Sequence, residues 1–269
     1  MLRLAILAIL LLLSSLSAQA QIQKSEEDLH RVVRAGNAFA LELYRAAIDD
    51  ATVNAFLSPF SIHAALTVAY AGADGQTASE MAHVLQTDLP SERLHTAYET
   101  LYSLLASGEE SELAIANALW VARGFELRPE YTEALRTHHG AKAREVDMRS
   151  DAADIINTWT SDQTRGCIEE IVSRQAIADA ALVLTNAIYF LGSWERAFDP
   201  EQTRDEPFTR ADGTTDDVPL MHQRGSFRYA ELPGLQVIDL PYRDDSLTMT
   251  VLLPAEHDGL AALVSDLDT

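Results

Sequence analysis

Two stretches, Leu113–Ala122 (LAIANALWVA) and Ala180–Leu191 (AALVLTNAIYFL), are almost continuously apolar, and polar or glycine-containing segments bound each of them. Neither can keep a face in water. Each therefore needs cover on both sides, as a strand inside a sheet packed on both faces or, given the alanine content, as a buried helix. The chain before them reads as nearly all helix. Leu29, Val32, Val33, Phe39, Ala40, Leu43 and Ala47 make one apolar stripe along Glu26–Ala47. The short run Val53–Leu57 is closed by Ser58-Pro59, because a residue before proline is pushed towards extended conformations. Ser58 then reads as an N-cap and Pro59 as the first position of a helix through Ile62, Leu66 and Ala69, ending near Gly72. Thr77-Ala78-Ser79-Glu80 has the form of a capping box before Met81, Val84 and Leu85, and Glu92–Ala106 carries Leu94, Tyr98, Leu101, Leu104 and Leu105 at helical spacing.

The pattern changes after Gly108. Between the two apolar runs, Pro129–Thr137 and Asp151–Thr164 read as helices. From Thr203 onward short strand signals follow one another: 207–209, 218–221, 227–230, 237–240 and 247–253. Asp212-Gly213, Arg224-Gly225, Pro233-Gly234 and Asp244-Asp245 separate them as turns. Helices first and strands later is the α+β arrangement, and no linker, repeat or charge block divides it.

Charge and motifs exclude more than they assign. With 41 acidic against 20 basic residues the formal charge is −21, which disfavours nucleic acid and anionic membrane as partners. The single Cys167 rules out an intrachain disulfide and clustered thiolate sites, and reads as a small buried hydrophobe. No G-x-S-x-G, H-E-x-x-H, Walker or dinucleotide-binding motif occurs, so neither a hydrolase nor a cofactor is expected. Adjacent His138 and His139 point about 100° apart on a helix, a poor start for a metal site that needs about four convergent ligands. None of Asn37, Asn54, Asn117, Asn157 and Asn186 begins an N-x-[ST] sequon.

At the N-terminus, Arg3 is followed by ten consecutive apolar residues, Leu4–Leu13, and then by the small-x-small triplet Ala18-Gln19-Ala20. This reads as a secretory signal over residues 1–20, leaving a domain over 21–269. The apolar run is about half of the roughly 20 residues that span a bilayer. The expected location is extracellular, or periplasmic in a Gram-negative bacterium.

Three segments carry a family resemblance. Asn54–Ile62 (NAFLSPFSI) running into AALTVAYAGADGQT resembles the strand-to-helix B segment of serpins. Thr185–Thr203 (TNAIYFLGSWERAFDPEQT) resembles serpin strand 3 of sheet A and the turn after it. Val218-Pro219-Leu220-Met221 with Gly225, Phe227 and Tyr229, then Leu240-Pro241-Tyr242 before 247–254, is similar to the sheet B and C region. They occur in family order and cover nearly all of 26–269. The resemblance implies the serpin fold, N-terminal helices packed on mixed sheets A, B and C.

It also implies roles. Ser58, Ser61 and Asn186 match the hydrogen-bonded shutter beneath sheet A, and Trp194 matches the tryptophan at the breach where the reactive loop enters. An inhibitory serpin is a metastable, single-use substrate: the protease cleaves the loop, the loop inserts as a strand, and the acyl-enzyme is trapped. The implied partner is a serine, or a cysteine, protease, bound by a monomer without turnover. A non-inhibitory binding or carrier protein and an inactive truncated product are the alternatives. Heparin binding is not expected, because Arg93 is the only Lys or Arg in the matching helix, Ser91–Ser107. By family order the reactive loop, the shutter histidine and the last strands would follow Thr269. Residues 21–269 alone are therefore expected to fold poorly and to inhibit nothing.

Overall fold

Both apolar runs are strands rather than buried helices. The computed structural model describes residues 2–47, 54–106, 111–210, 212–243 and 247–267, with the backbone alone for 2–20. Val53, Ser107, Gly108 and the expected turn Asp244-Asp245 lie outside the described residues.

The first half is helical: α1 (Leu2–Ala47), α2 (Pro59–Tyr70), α3 (Gly75–Val84) and α4 (Ser91–Leu105). Strand β1 (Glu112–Ala122) follows, then α5 (Pro129–His139), β2 (Lys142–Val146), α6 (Ala152–Gln163), a single turn α7 (Arg174–Ile177) and β3 (Leu182–Leu191). In the order β2-β1-β3, β1 pairs parallel with β2 and antiparallel with β3, so that Asn117 stands directly opposite Asn186. The later strands form a hairpin, β4 (Arg204–Thr209) with β5 (Thr215–Leu220), and a meander, β6 (Arg228–Leu232), β7 (Leu235–Pro241) and β8 (Thr248–Pro254). Helix α8 (Leu260–Asp266) comes last among the described residues. Gly213 and Gly234 hold the positive φ that the two tight hairpins require.

Alternation along β1 sorts its side chains to two different cores. Ala118 and Trp120 pack on α6 through Ala152, Ala153 and Ile156. Leu119 and Val121 face the other way, against Val68 of α2 and Leu135 of α5. Behind that layer α1, α2 and α4 close a third cluster with Val32, Ala64, Leu94 and Tyr98. The half-buried pair of Arg93 with Asp28 joins α1 to α4.

Some local expectations are corrected. Helix α3 begins at Gly75, with Asp74 Oδ1 accepting from the Gly75 N–H at 2.7 Å, so Thr77 lies inside the helix and is no cap. Strand β2 was not expected: its sequence, KAREV, is mostly polar because it is an edge strand with one side to solvent. Cys167 is exposed, not buried, because it follows the left-handed turn at Arg165 and Gly166 that ends α6.

Trp120 is fully buried and donates Nε1–H to Thr185 Oγ1 at 2.9 Å. Replacing it by alanine is expected to cost about 3–5 kcal/mol, read as a lowered denaturant midpoint at unchanged slope.

Candidate functional site

Proline at position 59 fixes the start of α2 and leaves Ser58 at the N-cap position, yet the Ser58 side chain caps no backbone N–H. Its Oγ lies 2.9 Å from Ser61 Oγ, one helical turn on. The two serines thus form a local pair at the exposed start of α2. Asn186, on β3, makes a different bond: its Nδ2 donates to Asn117 Oδ1 at 2.8 Å. Among the described residues no hydrogen bond given for Ser58 or Ser61 reaches Asn186, although α2 does pack against β3. The three residues therefore stand as two pairs.

The Asn186 pair opens on a larger polar assembly. Asn117 is buried and passes its own Nδ2 proton to the His139 carbonyl at 3.3 Å. His139 Nε2 lies 2.8 Å from His95 Nδ1, and His95 Nε2 lies 2.9 Å from Ser91 Oγ. Residues from β3, β1, α5 and α4 are linked in this way behind the sheet. Burial pushes His95 down to about 4 and His139 to about 3, because a charged imidazole there would lose its water. The Tyr98 and Tyr102 hydroxyls beside them are pushed up for the same reason. Among the described residues, Asn186 Oδ1 and His139 Nδ1 are buried without a hydrogen-bond partner, which concentrates unmet polar atoms at this one place.

His63 is a separate buried imidazole on α2. Its Nε2–H donates to the Leu85 carbonyl at 3.0 Å, which leaves Nδ1 to accept from the Tyr98 hydroxyl. Burial lowers its pKa.

At the far end of β3 the chain turns at Gly192 and meets the meander. Trp194 is half-buried and stacks on Tyr242, ring centroids 4.6 Å apart and planes 11° from parallel, while Phe190 meets the same Tyr242 edge-on at 4.9 Å. Backbone bonds lock the junction: Glu195 N–H to the Pro241 carbonyl at 3.0 Å and Arg243 N–H to the Ser193 carbonyl at 2.9 Å. A cavity of about 310 Å³ lies beside it, lined by Trp194, Arg196, Phe227, Asp239 and Thr248 among others. Trp194 thus ties the central sheet to the meander through Tyr242.

Sequence reasoning gave no role to Asn117 or His95, weighed His139 only as a poor metal ligand and named Tyr242 only within the family resemblance. For the asparagine a signal existed: it is the one polar residue in LAIANALWVA, and a lone amide in a doubly covered strand must find a partner. The histidines carried no such signal, since their partners lie 44 residues apart in sequence.

The comparisons agree with one another. A family model described as Serpin (serine protease inhibitor) matches residues 34–269. An uncharacterized serpin-like protein of Thermococcus kodakarensis is 41% identical over 230 residues, 84% of this chain and 53% of that protein. Antithrombin-III of Mus musculus is 33% identical over 262 residues, covering 91% of this chain and 56% of that one. Among solved structures, ovalbumin from emu (Dromaius novaehollandiae) superposes with a TM-score of 0.84 at 26% identity, over 88% of this chain and 67% of that chain. The chain spans about half the length of the curated relatives it matches.

The split into two pairs is measurable by double-mutant cycles in denaturant unfolding. Asn117→Ala with Asn186→Ala is expected to show a coupling of about 0.5–3 kcal/mol, and Ser61→Ala with Asn186→Ala less than about 0.5 kcal/mol. The single change Asn186→Ala is expected to cost about 1–3 kcal/mol, because it strands the buried Asn117 oxygen.

Proposed function

The chain belongs to the serpin family, and we propose that it is part of an extracellular inhibitor of serine endopeptidases that is consumed in the act of inhibition. The observation that carries this reading is the family match over residues 34–269, with antithrombin-III of Mus musculus among the relatives. Among the described strands β3, ten residues long, pairs only with β1. A strand edge of that length takes up another strand by main-chain hydrogen bonds. In the proposed mechanism that strand is the cleaved reactive loop, arriving with the acylated protease still attached. The Trp194–Tyr242 junction marks the end at which entry begins, and the Ser58–Ser61 pair and Asn186 lie along the path.

The meander supports the same reading. Met249, Val251 and Leu253 are exposed on one face of β8 and Leu252 on the other, apolar side chains suited to cover by further chain. Delivery outside the cell rests on the Leu4–Leu13 run and Ala18-Gln19-Ala20; among the described residues no helix is long and apolar enough to cross a membrane. The expected partner is one serine protease per monomer. Heparin finds little here, because Arg93, the only Lys or Arg on α4, is engaged by Asp28.

The full polypeptide, mixed with proteases of trypsin-like, chymotrypsin-like and elastase-like specificity, is expected to leave a covalent complex that survives a denaturing gel. Residues 21–269 alone are expected to leave none. Cleavage without a trapped complex for every protease would favour a binding or carrier protein instead, and a covalent complex formed by 21–269 alone would overturn the role given to the loop.

A further inference from the structure

The histidine assembly behind the sheet adjoins the Asn117–Asn186 pair, and the proposed trapping mechanism leaves it without a role. His139 is the last residue of α5, and Gly140, in the left-handed conformation with φ +58, turns the chain directly into β2. The side-chain bonds that hold this end of α5 are few: His139 to His95 of α4, the His139 carbonyl to Asn117 of β1, and His138 Nδ1 to Glu99 of α4 at 2.9 Å. Leu135 is buried one turn earlier, and the Tyr131 hydroxyl donates to the Val68 carbonyl at 3.3 Å. Beyond the β1–β2 ladder and the buried Leu135 and Ala141, arm α5–β2 is fastened at its middle by imidazoles.

We propose that the His95–His139 pair is an acid-released latch that holds the α5–β2 arm against α4 and β1. With both rings neutral, one proton suffices for their bond: one ring nitrogen donates and the other accepts. A first added proton puts a cation between buried rings with no carboxylate in contact. A second leaves two N–H groups facing each other across 2.8 Å. Opening the arm lets both rings take protons in water.

The charged and titratable surroundings offer no compensation. From α4 the pair meets Ser91, Tyr98 and Tyr102, and the nearby carboxylate, Glu99, is held by His138. From α5 the pair has His138, whose ring lies 6.2 Å from His95 and adds repulsion when protonated. From β1 there is the neutral Asn117. His139 and Asn117 also line a cleft of about 700 Å³ beside α6, together with Lys142 and Arg144 of β2 and Asp154 and Asp162 of α6. Asp154 is paired with Arg174.

The sign follows from linkage. Both rings have pKa values lowered in the closed arm, so their contribution is fully present above the ordinary histidine value near 6.5 and is lost as pH falls below it, towards about 4 and 3. Between pH 7.5 and 5.5 the opening constant of α5–β2 is expected to rise about a hundredfold, roughly tenfold for each ring.

Amide hydrogen exchange of the full polypeptide, expressed as protection factors at the two pH values, reads this directly. Wild type is expected to lose about a hundredfold protection in α5 and β2, His139→Gln about tenfold, and His95→Gln with His139→Gln almost none. Equal losses in wild type and the double variant, or no loss in wild type, would overturn the latch. Where the double variant does not fold, ring nitrogen shifts in wild type decide: rings that stay neutral at pH 5.5 in the closed arm support it, and rings that titrate near 6.5 with α5 still protected refute it. This outcome is independent of protease trapping, since the latch is read from exchange alone.

Discussion

Burial of β1 on both faces is the constraint on which the other elements depend. Its even-numbered side chains need α6 and its odd-numbered ones need α2 and α5, so three helices are placed by one strand. Strand β3 shares the same two faces through its antiparallel register, which puts Thr185 within reach of the Trp120 indole and Asn186 opposite Asn117. A one-residue slip would turn Asn117 towards α6 and Trp120 towards the helices behind the sheet, reversing both cores at once.

That same burial makes the few polar groups behind the sheet consequential. Asn117 cannot reach water, so it ties itself to Asn186 and to the end of α5. Around it stand two imidazoles held neutral by desolvation, with orphaned polar atoms. A low-dielectric interior strengthens satisfied bonds and magnifies the cost of unsatisfied ones, so this cluster is where the helices behind the sheet are most sensitive to conditions. The serine pair at the start of α2, exposed to solvent, has less leverage.

The other junction is aromatic and mechanical. Trp194, Tyr242 and Phe190 stack between two sheets that otherwise meet little, and two backbone bonds pin the crossing. That joint couples the central sheet to the meander.

Much of this was legible along the chain. The apolar runs, the helical stripe of α1, the Ser58-Pro59 start of α2 and the glycine turns at Gly213 and Gly234 follow from local periodicity and backbone chemistry, which neighbouring residues set by themselves. The three segments 54–77, 185–203 and 218–254 carried the family. What needed the tertiary structure was every choice of partner: strand rather than helix for the alanine-rich runs, β2 as a polar edge strand, Cys167 outside rather than inside, Asn186 bonded to Asn117 rather than to the serines, and His95 bonded to His139. Apart from Cys167, which a local left-handed turn carries outward, those are pairings between residues distant in sequence, and they are decided by which surfaces the packed sheet brings together and excludes from water, a quantity that no local pattern contains.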